Sequence, residues 1–293
     1  MSAITAPRAA APRKPVDGWR WAGRVFLLLM FLFSVLPMAW MVITSLKTQF
    51  AAFRYPPQWW PAEPTLDNYI RLLSPLNPTG QEFLTYLWNS IFVSTSSTIL
   101  GVAVAVPAAY AFSRFRFPGR QFLFFAVLFR NMFPAVIFLM PLFLLMKAFG
   151  LINNQASLIL TYLTFGLPLS IWLLKGFYDN IPIQLEQAAR IDGATKFQAF
   201  LLIVMPLSSP GIIATAIYSF ILAWNEYVFA LTFLSSKSKF TMPIGLQQFF
   251  TEYATDWPGL MAASFIMSVP VVVMFLILQK YFVRALTEGA VKS

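Results

Sequence analysis

The chain of 293 residues contains neither cysteine nor histidine. Without thiols there is no disulfide, no thiolate nucleophile and no redox pair; without imidazole the commonest general base and the usual zinc ligands are gone as well. Charge is also scarce. Asp, Glu, Lys and Arg make up 11% of the residues, where ordinary soluble domains carry roughly a quarter. No pair of carboxylates is spaced for acid/base work, and no G-x-x-x-x-G-K-[ST] loop is present to cradle a nucleotide. These absences argue against an intramembrane enzyme: no catalytic residue, no metal site and no cofactor is expected in this chain.

What the sequence has in excess is apolar surface. Hydrophobic residues make up 58% of the chain and the mean hydropathy is +0.68, more than a soluble fold of this length is able to cover. Membrane crossings of roughly 20 apolar residues each account for it. The formal charge of +10 does not suggest a nucleic-acid surface, because the Lys and Arg residues lie in short segments between apolar runs, where they anchor helix ends against anionic lipid.

Residues 1–21 are rich in Ala, Pro and Arg and form an expected flexible basic tail. The remainder, 22–293, reads as one transmembrane domain. Its first span runs without a charge from Val25 to Leu46, too long for the apolar core of a signal peptide and followed by no small-residue cleavage site. Lys47 to Glu82 is aromatic and proline-rich and is assigned to the outside. Further spans are expected at Phe83–Ser113, about Gln121–Met146, about Ala156–Leu174, Leu201–Leu234 and Trp257–Gln279. Of the 21 Lys and Arg residues, 14 fall on the side of the termini and 6 on the other, with Arg130 inside the third span. The positive-inside rule therefore places both termini in the cytoplasm.

The segment at about 177–200 is too charged for lipid and reads as two short cytoplasmic helices. Pro182 suits the first turn of one and Gly193 its termination, while Thr195 and Gln198 have capping-box spacing for the next. Leu185, Ala188, Ala189 and Ile191 supply a small apolar face, and Glu186, Arg190 and Asp192 leave charges for a polar partner. A plain interfacial amphipathic helix is the simpler alternative, but it requires no particular Asp-Gly-Ala order.

Gln187-Ala188-Ala189, then Asp192-Gly193-Ala194, Met205-Pro206-Leu207 and Pro210 resemble the EAA loop of ATP-binding-cassette importer permeases, in particular the sugar group related to the maltose permease. The likeness extends to the six-span layout, to Met132-Phe133-Pro134, to Trp224-Asn225-Glu226 and to the terminal Leu286–Lys292. In one respect the chain departs from the motif: the glutamate that names it is Gln187 here, with Glu186 just before it. The resemblance implies an all-α membrane protein of the type I importer permease fold, with six transmembrane helices and a cytoplasmic EAA-type coupling helix, in the inner membrane of a bacterium. It implies that Glu186, Gln187, Ala188, Ala189, Asp192, Gly193, Ala194 and Pro206 couple the chain to an ATPase. Gly289 and Lys292 in the tail either reach toward that ATPase or form a solvated anchor.

The implied partners are a second permease in a heterodimer, two ATPase subunits that carry the ATP and Mg, and an extracytoplasmic solute-binding protein. Trp224, Asn225, Glu226 and Arg130 are the candidate translocation-path residues, since ionisable groups in an apolar span cost free energy unless they face protein or water. Glu226 has two readings. It touches a sugar beside a stacking Trp224, or it pairs structurally with Arg130 or Lys239; the second is preferred, because one subunit of a heteromeric permease can hold most substrate contacts. A rival class is the proton-coupled secondary transporter with Glu226 as the carrier, which leaves the polar loop without a role.

Overall fold

The computed structural model describes the backbone of residues 18–250 and 255–290 and the side chains of 21–250 and 255–279. The expected tail at 1–17 and Lys292 lie outside the described residues. The fold is helical, relieved by an isolated antiparallel bridge between Phe250 and Thr255. In chain order the main elements are α1 (Gly18–Ser45), α2 (Asp67–Leu73), α3 (Pro78–Arg114), α4 (Arg120–Phe129), α5 (Leu139–Ala148), α6 (Gln155–Asp179), α7 (Ile183–Ile191), α8 (Lys196–Ala199), α9 (Ser209–Trp224), α10 (Val228–Phe233) and α11 (Trp257–Ala290).

Four of the expected spans are unbroken helices: α1, α3, α6 and α11. The third and fifth are not continuous, which corrects the expectation. The third turns by 100° between its two halves, and the fifth turns by 73° between Leu207 and Ser209. Proline explains both positions. Pro134 lacks the N–H a helix needs and forces Phe133 into extended backbone, with φ −99° and ψ 135°. Pro206 and Pro210 flank the second bend, just after a π-helical stretch at Phe200–Val204. The fifth span also ends early: α9 stops at Trp224, and α10 is a separate short helix. At the C-terminus α11 continues through Gly289 to Ala290, where a short tail was expected after Gln279.

The centre is built by α3, α6 and α9, with α11 against α9 and α1 packed on α11. Along α3 the buried Ser90, Ser94, Ser97, Gly101, Ala105 and Ala109 recur every three or four residues. Small side chains on one stripe let helix backbones approach closely, which is how helices associate where lipid tails are as apolar as leucine. Two apolar clusters divide the length of this centre. One joins Val93, Leu158, Tyr162, Phe165, Phe229 and Phe233; the other joins Ala105, Ala109, Tyr110, Leu174, Tyr178, Phe200 and Val204. The second cluster lies beside the loop that follows α6, so the polar segment is fastened to the membrane helices by its own C-terminal continuation.

Candidate functional site

The expected two-helix loop is present, and its local chemistry is the one its residues favour. Pro182 stands at the N-cap of α7, one residue ahead of the first helical turn. At the other end Gly193 adopts φ +95°. The Ala194 amide donates to the Ala189 carbonyl at 2.9 Å and the Gly193 amide to the Arg190 carbonyl at 3.2 Å. That is the Schellman pairing, which requires a left-handed residue and so favours glycine. Thr195 and Gln198 close a reciprocal capping box at the start of α8.

The orientation of α7 differs from expectation. Glu186 does not offer its charge outward: it is buried, with Oε1 2.6 Å from Arg114 Nε and Oε2 accepting from the Tyr110 hydroxyl at 2.6 Å. Arg114 Nη2 also donates to the Ile181 carbonyl at 2.8 Å. Both charged side chains are 9% exposed, and such a pair holds its place because each charge has nowhere else to go. Beside it Ser113 donates to Asp179 at 2.6 Å. The end of α3 thus grips both the end of α6 and the start of α7. Ala189 lies half-buried on the same inward side, whereas Gln187, Ala188, Arg190 and Asp192 are exposed and Ala194 is half-buried. Ile191 is 86% exposed and Phe197 67%. The outward face is thus partly apolar and exposed.

The expected path residues do not form one site. Trp224 is 1% exposed, stacks on Phe220 at 5.5 Å and donates its indole N–H to the Met267 carbonyl. It is a packing residue and presents no open ring face to a sugar. Asn225 bonds back to the Ile221 carbonyl. Glu226 pairs with neither Arg130 nor Lys239. Its carboxylate accepts from the Tyr162 hydroxyl at 2.8 Å and from the amides of Phe229 and Ala230 at 2.9 and 3.1 Å, so it caps the first turn of α10 and ties it to α6.

Arg130 stands at the break in the third span. Its guanidinium lies 3.5 Å from the centre of the Phe165 ring, and Nη1 donates to Asn131. Its Nε and Nη2 are buried without a hydrogen-bond partner among the described residues. A cation over an aromatic face with its Nε and Nη2 unspent is still able to receive a ligand atom. The residues that sequence reasoning missed are Tyr110, Arg114 and Tyr162. Tyr110 and Arg114 are four apart at the end of one helix, a spacing that puts both on one face, and that was the available signal.

Comparison with known proteins adds four findings. Residues 97–288 match the family model described as binding-protein-dependent transport system inner membrane component. The chain is 35% identical over 267 residues to the inner membrane ABC transporter permease protein YcjP of Escherichia coli, covering 91% of this chain and 94% of that one. It is 36% identical over 263 residues to the trehalose transport system permease protein SugB of Mycobacterium tuberculosis, with 89% and 93% covered. Among solved structures, a chain from a bacterial ABC transporter involved in the import of the acidic polysaccharide alginate superposes with a TM-score of 0.78 at 23% identity, covering 93% of this chain and all of that one.

Proposed function

This chain belongs to the family of binding-protein-dependent transport system inner membrane components, and from that membership we propose that it is the sugar-conducting permease subunit of an ATP-driven importer. It is a transport subunit and not an enzyme; ATP and Mg bind to partner ATPases. The observation that carries the coupling role is the nine-residue α7, pinned from within by Glu186 and bare on its outer side. A second permease completes the path, two ATPase subunits receive the coupling helices, and an extracytoplasmic binding protein delivers the solute. Both termini are cytoplasmic on this reading. A sugar cargo is supported by the relative named for trehalose transport and by the motif. Nothing favours the proton-coupled alternative, since the Glu226 carboxylate is spent on capping α10.

In this scheme closure of the ATPase dimer pushes on the exposed Gln187, Ala188 and Ile191. The push passes through the Glu186–Arg114 pair into α3, and through Phe200 and Val204 into the bend at Pro206. Arg130 lines the path at the break in the third span. Ala189 faces partly inward, so the probe of the docking surface is Ile191→Asp, which leaves the inner side untouched. With all partners reconstituted, Ile191→Asp should reduce co-purification of the ATPase at least about tenfold, since a charge displaces a fully covered apolar anchor. Gly193→Val, with Val forced to positive φ at a cost of at least about 1 kcal/mol, should abolish sugar-stimulated ATP hydrolysis while the chain still inserts. If both variants hydrolyse ATP and import sugar at the unmodified rate, α7 is not the coupling element.

A further inference from the structure

We propose that the hollow between the α3–α4 hairpin and the end of α6 binds the phosphate headgroup of an anionic phospholipid, one lipid held individually at this site. The hollow has a volume of about 640 Å³ and is walled by Arg116, Gly119, Arg120, Phe122, Phe125 and Lys175. It adjoins a second, of about 360 Å³, which shares Phe124 and Lys175 with it and adds Trp172 and Asp179.

Charge decides the class of ligand. Three cations line the pair of hollows and face one carboxylate, Asp179, which is engaged by Lys175 and by Ser113. Arg114, next in sequence, is consumed by Glu186. Arg116 and Arg120 form no ion pair among the described residues. Two arginines without a carboxylate suit a phosphate, whose oxygens accept the fork of guanidinium N–H groups.

The apolar surroundings decide that the phosphate belongs to a lipid. No residue of α4 is buried, and Phe122, Phe125 and Phe129 are 75%, 58% and 57% exposed. At intervals of three and four they form one stripe down the helix, beginning beside Arg120 and running into the membrane. Trp172, 50% exposed, flanks the hollow where interfacial aromatics sit. A phosphodiester at the arginines lays its acyl chains along the phenylalanine stripe, so the polar-to-apolar order of the surface matches that of the lipid. Basic pockets between helices at the membrane surface hold anionic headgroups in this manner. A water-soluble phosphate compound uses the arginines and ignores the stripe.

The experiment is native mass spectrometry of the full chain with its partners, extracted from vesicles of phosphatidylcholine and phosphatidylglycerol at three to one. Wild type should retain phosphatidylglycerol at a ratio to phosphatidylcholine roughly thirtyfold above the bulk ratio, the scale set by two basic side chains. R116Q/R120Q should fall to the bulk ratio, and R116K/R120K should keep most of the enrichment. Phe122→Ser with Phe125→Ser should lose retention although the arginines remain. Bulk-ratio retention in the wild type overturns the proposal without recourse to any variant. Full retention in the phenylalanine variant, together with displacement of the lipid by inorganic phosphate, assigns the hollow to a soluble phosphate compound and overturns it as well.

Discussion

Replacing Glu186 by alanine tests whether the coupling helix is fastened to the membrane helices by its buried ion pair. The change removes the acceptor for Arg114 Nε and for the Tyr110 hydroxyl and leaves Arg114 with the Ile181 carbonyl and the Ser113 hydroxyl. Both partners are 9% exposed, so water rescues little of the lost interaction. Removing one member of such a pair costs about 3–5 kcal/mol. At 1.4 kcal/mol per tenfold, the lower figure raises the population of detached α7 by roughly a hundredfold. Hydrogen exchange reads that population directly, because amides closed by local structure exchange through local opening. In lipid nanodiscs the amides of Gln187–Ile191 should exchange about a hundredfold faster in Glu186→Ala, and those of Ser94–Val106 in the middle of α3 should not change. Arg114→Met with Glu186→Leu should recover much of the protection, since apolar replacement of a whole buried pair is often neutral. Rates within about threefold of wild type in Glu186→Ala would refute the clamp and leave the apolar contacts of Phe200 against Tyr110 as the fastening.

Glu226→Gln should lower thermal stability in detergent by about 1–3 kcal/mol, because the new amide N–H₂ faces donors where a carboxylate oxygen accepted them; sugar affinity should be unchanged, and a shift in affinity at constant stability would return Glu226 to the path. Single cysteines in this thiol-free chain should report topology: at Gln198 they should label only from the cytoplasm, and at Ser238 only from outside, with outside labelling of position 198 in intact cells contradicting the orientation proposed.

The spans were legible because a charge-free run of sufficient length has few other uses, and the small-residue content of the second announced close packing. The breaks were only half legible. Pro134, Pro206 and Pro210 mark where a helix lacks a donor, but a proline tolerates anything from a gentle kink to the 100° turn at Phe133–Pro134, and tertiary contacts choose the angle. Trp224-Asn225-Glu226 misled for a related reason. An aromatic beside polar groups in an apolar run is also what a helix end needs when it must stop, cap its successor and pack on a neighbour. Arg130 shows no such local use: its ring partner Phe165 comes from α6, 35 positions on, and only the folded chain brings them together.

The adjacent Glu186 and Gln187 show why the loop was read correctly as two short helices and incorrectly in the placement of one residue. Successive residues on a helix are turned by about 100°, so these two cannot share a role: if one faces the membrane helices, the other faces away. The sequence reading left Glu186, with Arg190 and Asp192, as a charge for a polar partner. In the structure the charged residue goes in, because the receiving surface is a cationic Arg114 flanked by a tyrosine hydroxyl, and the apolar Leu185 and Ile191 are exposed. The inward position requires a full negative charge, since an amide would leave Arg114 buried without a counter-ion. The outward position is solvated, and there an amide hydrogen-bonds to water without the charge. That asymmetry explains how Gln187 is accommodated where the motif is named for a glutamate: the charge that holds the helix in place is supplied one residue earlier, and the exposed position carries no obligation to neutralise anything within this chain.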